Sequence, residues 1–167
     1  MKKFSILLAL VFLCVINSGC SAHNTYGEGD SVLRIHVRAH SNDGLALLMQ
    51  SKVSEAVMQY VTERLSSVDT PRKAKSVVSE EQTALKSIAE RVLVENGADY
   101  GAAVRLTYEY YPTATSGKYT LTSGYYDAVS ISLGQGNGDD WWSVIYPKGS
   151  ETVIYKSRLV QWWESWF

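Results

Sequence analysis

Few residues in this chain of 167 have the types and spacing that do chemistry. His36 and His40 stand four apart, which on a helix would aim two imidazoles at one metal ion. The segment around them alternates like a strand, and no Asp, Glu or Cys completes a ligand set. Solvent-facing or hydrogen-bonded histidines are therefore expected, with no metal. Gly134-Gln135-Gly136-Asn137-Gly138 has the composition of a nucleotide loop, but it leads into Asp139, Asp140 and Trp141 rather than into a helix. Without a helix N-terminus to hold phosphate, a hairpin turn is the better expectation. Asp139 and Asp140 lack the spaced oxygen ligands of a calcium loop, which leaves a solvated turn. No Gly-x-Ser-x-Gly elbow occurs. The chain is expected to be no enzyme and to carry no cofactor.

Its aromatic residues are more unusual. The five tryptophans are Trp141, Trp142, Trp162, Trp163 and Trp166. On a strand, Trp141 and Trp142 must point to opposite faces. Leu159, Trp162, Trp163 and Trp166 would form a stripe on a terminal helix. Some exposed aromatic surface follows, of the kind that marks partner or membrane contacts.

The front of the chain reads as an export signal. Lys2 and Lys3 precede an uncharged run from Phe4 to Ile16, and small residues follow at Ser18, Gly19, Cys20, Ser21 and Ala22. The run is shorter than the roughly 20 apolar residues of a spanning helix, and the order of parts is that of a secretory signal. Cys20 could be lipidated, although Asn17 stands where a lipobox carries Leu or a similar residue; cleavage after Ala22 is the alternative. Residues 1–22 are thus expected as signal peptide, 23–31 as a polar tether and 32–167 as a single domain. The expected location is outside the cytosol, with membrane association through the signal or a lipid. A domain without Cys14 and Cys20 has no disulfide. Sixteen basic against seventeen acidic residues speak against a nucleic-acid partner.

The elements that must position these residues follow from periodicity. Leu33, Ile35 and Val37 alternate with Arg34, His36 and Arg38, as in a half-buried strand. Leu45, Leu48, Met49, Val53, Ala56, Val57, Tyr60, Val61 and Leu65 make one helical stripe. Thr70-Pro71 starts a short helix through Val77, and Ser79 with Gln82 offers a capping box for a second long helix ending at Asn96-Gly97. Val104 to Tyr110 and Val129 to Leu133 alternate as strands. Trp141 to Tyr146 is expected to return beside the latter, antiparallel, because only seven residues connect them. Thr152 to Tyr155 could add a strand, and 157–167 a terminal helix. The expected class is α+β, a small antiparallel-containing sheet with two long helices packed on one face.

With these elements in place the sequence resembles the stage II sporulation protein R family. Arg34 to Asp43 is similar to the family's opening strand and Ala-Asn-Ser-Asp turn, with His40 in the first Asn place. Tyr111-Pro112-Thr113 with Gly117 resembles its aromatic-Pro-Thr…Gly stretch. Gly124 to Val129, Leu133 to Gly138 and Trp141 to Pro147 reproduce its Gly-x-Tyr-x-Ala-Val, Leu-Gly-x-Gly-x-Gly and Trp-Trp-Cys-Val…Pro blocks in order. Ser143 stands in place of the family's cysteine, and Lys148-Gly149-Ser150 replaces its Pro-Leu-Cys-Phe segment.

The resemblance implies a messenger made in the forespore and exported into the space between forespore and mother cell. There it would stimulate a membrane-embedded aspartic protease, which removes the pro-sequence of a sigma factor. The expected receptor-binding surface comprises Gly134, Gly136, Gly138, Trp141 and Trp142. The competing expectation is an envelope lipoprotein that binds or scaffolds without signalling.

Overall fold

A computed structural model describes residues 24–26, 32–116 and 119–147. The expected signal peptide, the strand at 152–155 and the terminal helix at 157–167, with its three tryptophans, lie outside the described residues. Within the stretch expected as a tether, Asn24–Tyr26 forms strand β1.

The alternation at the start of the domain forms β2 (Leu33–Arg38). The turn after it supplies the cap of helix α1 (Gly44–Arg64): an Asp43 carboxylate oxygen accepts from the Ala46 N–H at 2.9 Å. Met49, Val53, Val57, Val61 and Leu65 are buried as their spacing predicts. Leu45 and Leu48 instead stay exposed, while Gln50, Ser54 and Met58 go inside. The buried arc differs from the expected stripe because α1 packs against both the sheet and a second long helix.

Thr70 and Pro71 start α2 (Pro71–Glu80), with the Thr70 hydroxyl accepting from the Lys73 N–H at 3.3 Å. The capping box expected at Ser79 does not form. Ser79 lies inside α2, and the Gln82 amide donates to its carbonyl at 3.1 Å. The break falls at Glu81, before α3 (Gln82–Glu95). Its carboxylate accepts the Tyr60 hydroxyl at 2.6 Å and lies 3.2 Å from Arg64 Nε, which fastens the break to α1.

The remaining strands are β3 (Ala102–Tyr111), β4 (Ala114–Ser116), β5 (Tyr119–Leu121), β6 (Gly124–Leu133) and β7 (Asp140–Tyr146). The main sheet has the order β3-β6-β2-β7; a small one has the order β1-β5-β4. β2 runs parallel to β6 and antiparallel to β7, and β3 is antiparallel to β6. The fold is α+β, as expected, but the hairpin between β6 and β7 is not one of neighbours. The two run in opposite directions with β2 between them. A strand as apolar on its helix face as β2 is best buried in the centre, and the link through residues 134–139 is long enough to step across its end.

Leu33, Ile35, Val37, Val129, Ile131, Leu133 and Trp141 face the helices and form the principal core with them. Counted alternately, Arg34 and His36 should meet water on the other face. They do not: both are buried there, beside a second cluster of Val32, Leu121, Tyr126 and Val144, with Tyr111 and Trp142 packed against it. The cause is curvature. Across the sheet, Arg105 is level with His36 through Ser130. Yet it is Tyr111, at the far end of β3, that stacks on His36 at 4.5 Å. The β3–β6 ribbon therefore curls back over the face of β2.

Candidate functional site: the glycine loop and the second face of the sheet

The glycine loop is built around the turn that leaves β2. Gly138 N–H donates to the Ala39 carbonyl at 2.9 Å, and Ala39 N–H to the Asp139 carbonyl at 3.0 Å. Asp139 N–H donates to the Asn42 side-chain oxygen at 2.6 Å, and Gln135 N–H to His40 Nδ1 at 3.1 Å. His40 is further fixed by stacking on Tyr100, 4.4 Å between ring centres. From beneath, the buried Gln50 amide reaches both the Val37 carbonyl at 2.7 Å and the Asp139 carbonyl at 2.6 Å. One helix side chain thus ties β2 to the start of β7.

Two of the glycines are required by the backbone and its surroundings. Gly134 has φ +54°, and a Cβ there would collide with the imidazole of His40. At Gly138 a Cβ would collide with the Ser41 backbone carbonyl, which cannot move aside without breaking the turn. Both let two loops lie against each other. The loop exposes Gly134 and the side chains of Gln135, Asn137 and Asp139 to solvent.

Of the expected contact residues, Gly134, Gly136 and Gly138 thus belong to this lock. Trp141 and Trp142 do point to opposite faces. Trp141 is 7% exposed and part of the principal core, whereas Trp142 is half-buried on the second face. The structure does not bring the two rings to one surface.

Sequence reasoning missed the group that Trp142 joins. Asp140 is exposed, as expected, but it opens β7 and its carboxylate lies 2.6 Å from His36 Nδ1. Burial lowers the pKa of His36, against the opposing pull of Asp140, so the ring is neutral near pH 7. Nδ1 then carries the hydrogen and donates to Asp140, leaving Nε2 as a buried acceptor with no partner among the described residues. Beside it the Arg34 guanidinium lies over Tyr111 at 4.1 Å, Trp142 at 4.5 Å and Tyr126 at 5.6 Å. Burial lowers its pKa to about 10, opposed by Tyr111, Asp140 and Tyr126, so it remains a cation. Its Nε and Nη1 are buried and find no hydrogen-bond partner among the described residues. Unmet buried donors cost about 1–3 kcal/mol each, and ring contacts of this type return about 0.5–2 kcal/mol. A half-buried strand with a basic residue at every second place gave no hint of this. The only signal was the count of aromatic residues at the ends of β3, β6 and β7.

A third feature is a tyrosine patch. Tyr108, Tyr110 and Tyr125 are exposed on the helix side of the ribbon, with Tyr125 5.6 Å from each of the other two ring centres. Among the described residues no three His, Cys, Asp or Glu side chains converge as a metal site, and no helix is long and apolar enough to cross a membrane.

Fold and loop together define a small α+β domain that displays a fixed loop beside an aromatic face. Its sequence matches the family described as stage II sporulation protein R over residues 29–150. It is 24% identical to stage II sporulation protein R of Bacillus subtilis (strain 168) over 157 residues, 88% of this chain and 70% of the relative. No solved structure matches it. The chain belongs to the stage II sporulation protein R family, and with it to the proteins of sporulation signalling.

Proposed function

We propose that this chain is an exported signal that activates a membrane-embedded aspartic protease during sporulation and so promotes processing of a sigma-factor precursor. The observation that carries the reading is the family match, which runs from before β2 to beyond β7. The loop geometry supports it. An activator needs only a surface with higher affinity for the active arrangement of its receptor, and a surface held rigid in advance loses less entropy on binding. Residues Gln135, Asn137 and Asp139, pinned from both sides, provide such a surface, flanked by Trp142. Export through the N-terminal signal places it between forespore and mother cell.

Complementation tests this. The chain is expressed in an endospore former lacking its own stage II sporulation protein R, and cleavage of the sigma-factor precursor is followed by immunoblot. Restored cleavage is expected. Unprocessed precursor, with the protein exported and folded, would reject the reading and leave a binding module of the cell envelope, whether lipidated at Cys20 or not.

A further inference from the structure

The second face of the sheet holds a cation whose hydrogen-bonding capacity is largely unspent. Arg34 is 2% exposed, and the rings of Tyr111 and Trp142 cover its guanidinium without accepting ordinary hydrogen bonds from its N–H groups. Buried polar groups in folded proteins almost always find a partner, and those left without one need an explanation. Asp140, the nearest acid on β7, is already engaged by His36.

We propose that Arg34 is the anchor of a carboxylate-binding site on this face, walled by Tyr111 and Trp142. The chemistry selects the ligand. With rings over the guanidinium, its N–H edge is what remains, and the planar partner of that edge is a carboxylate. A phosphate dianion would bring more charge than one Arg balances. Access does not require the sheet to open. Trp142 stands on β7 and Tyr111 at the end of β3, the two edge strands, and both are half-buried. The proposal requires that rotation of one of these two side chains open the site, with the backbone in place. The carboxylate can come from an acidic side chain of a partner protein or from a free small acid. The site does not depend on the signalling role.

The test is titration of the folded, isotope-labelled protein with sodium acetate at constant pH and ionic strength, observed at the Arg34 Nε–H resonance. A saturable shift in the millimolar range is expected at Arg34, at His36 and at the Trp142 indole, with the exposed Arg38 on the same strand unmoved. A parallel titration with the capped peptide Gly-Glu-Gly distinguishes the sources: tighter binding than acetate indicates a polypeptide partner, equal or weaker binding a free acid. Arg34→Lys keeps the charge but not the planar edge, and should lose the response. Should that variant fail to fold, the wild-type titration decides alone. An Arg34 signal that stays still, drifts linearly, or moves equally with sodium chloride would overturn the proposal.

Discussion

Gly138 lies against the backbone carbonyl of Ser41, closer than any side chain at that position would allow. This contact joins the turn after β2 to the loop before β7, two segments far apart in the chain. It makes them one structural unit. Gly138→Ala should therefore destabilise, on the order of 2–3 kcal/mol by analogy with overpacked cores, whereas alanine in place of a glycine at an unstrained, uncrowded position commonly stabilises. Gly97 is the control: it has φ +78° but nothing within 4 Å of a Cβ, so Gly97→Ala meets only the backbone penalty. Urea unfolding of the two variants, compared at their midpoints, checks the difference.

Gln50 offers a second handle on the same unit. Gln50→Leu keeps the bulk of the side chain but leaves the Val37 and Asp139 carbonyls without its donor. A loss of about 1–2 kcal/mol is expected from the two lost hydrogen bonds, since the Asp139 carbonyl still accepts the Ala39 N–H. Hydrogen exchange of the Ala39 N–H, which bonds to the Asp139 carbonyl, should accelerate more than that of amides in α3. Uniform acceleration across the protein would mean that Gln50 contributes only to global stability.

The two neighbouring tryptophans should behave differently. Trp141→Ala opens a cavity in the principal core and should destabilise by about 3–5 kcal/mol. Trp142→Ala removes a half-buried ring and should cost clearly less, while exposing Arg34. Of the two, Trp142→Ala is thus the variant in which a lost signal would report on the surface and not on folding. Equal melting temperatures for both variants would contradict the assignment of Trp141 to the core.

Stability should also fall on acidification through the histidine range. His36 has a pKa below the 6.5 of a free histidine, principally because it is buried. The unfolded chain therefore takes up a proton at a higher pH than the folded one does. The contribution is fully present above about pH 6.5 and is lost as pH falls from there through the folded value. In His36→Gln the pH dependence between 7 and 5 should flatten relative to wild type. An unchanged slope would show that other groups set it.

Local structure was largely legible in the sequence. Thr70-Pro71 placed the start of α2, the apolar spacing placed Met49, Val53, Val57 and Val61 inside, and strand alternation placed Trp141 and Trp142 on opposite faces. What was not legible depended on contacts between distant segments. The neighbour of β7 is β2 and not β6, because a short link constrains distance but not which strand lies between. His36 read as solvent-facing or hydrogen-bonded, and it is hydrogen-bonded to Asp140; that it and Arg34 are also buried was not legible, because alternation describes a flat strand, while the curl of β3 and β6 that covers them is a property of the whole sheet. Ser79 and Gln82 satisfied the capping pattern, yet Tyr60 and Arg64 held Glu81 and moved the break.

The central place of β2 also sets a timetable for the chain. Both of its neighbours, β6 and β7, come from the last part of the described sequence, beyond all three helices. During any passage that proceeds N-terminus first, from the ribosome or through a secretion pore, β2 emerges without a strand to pair with. Contacts of such long sequence separation form slowly. The sheet must therefore wait until nearly the whole domain has arrived, so that the chain stays threadable until its crossing is almost complete.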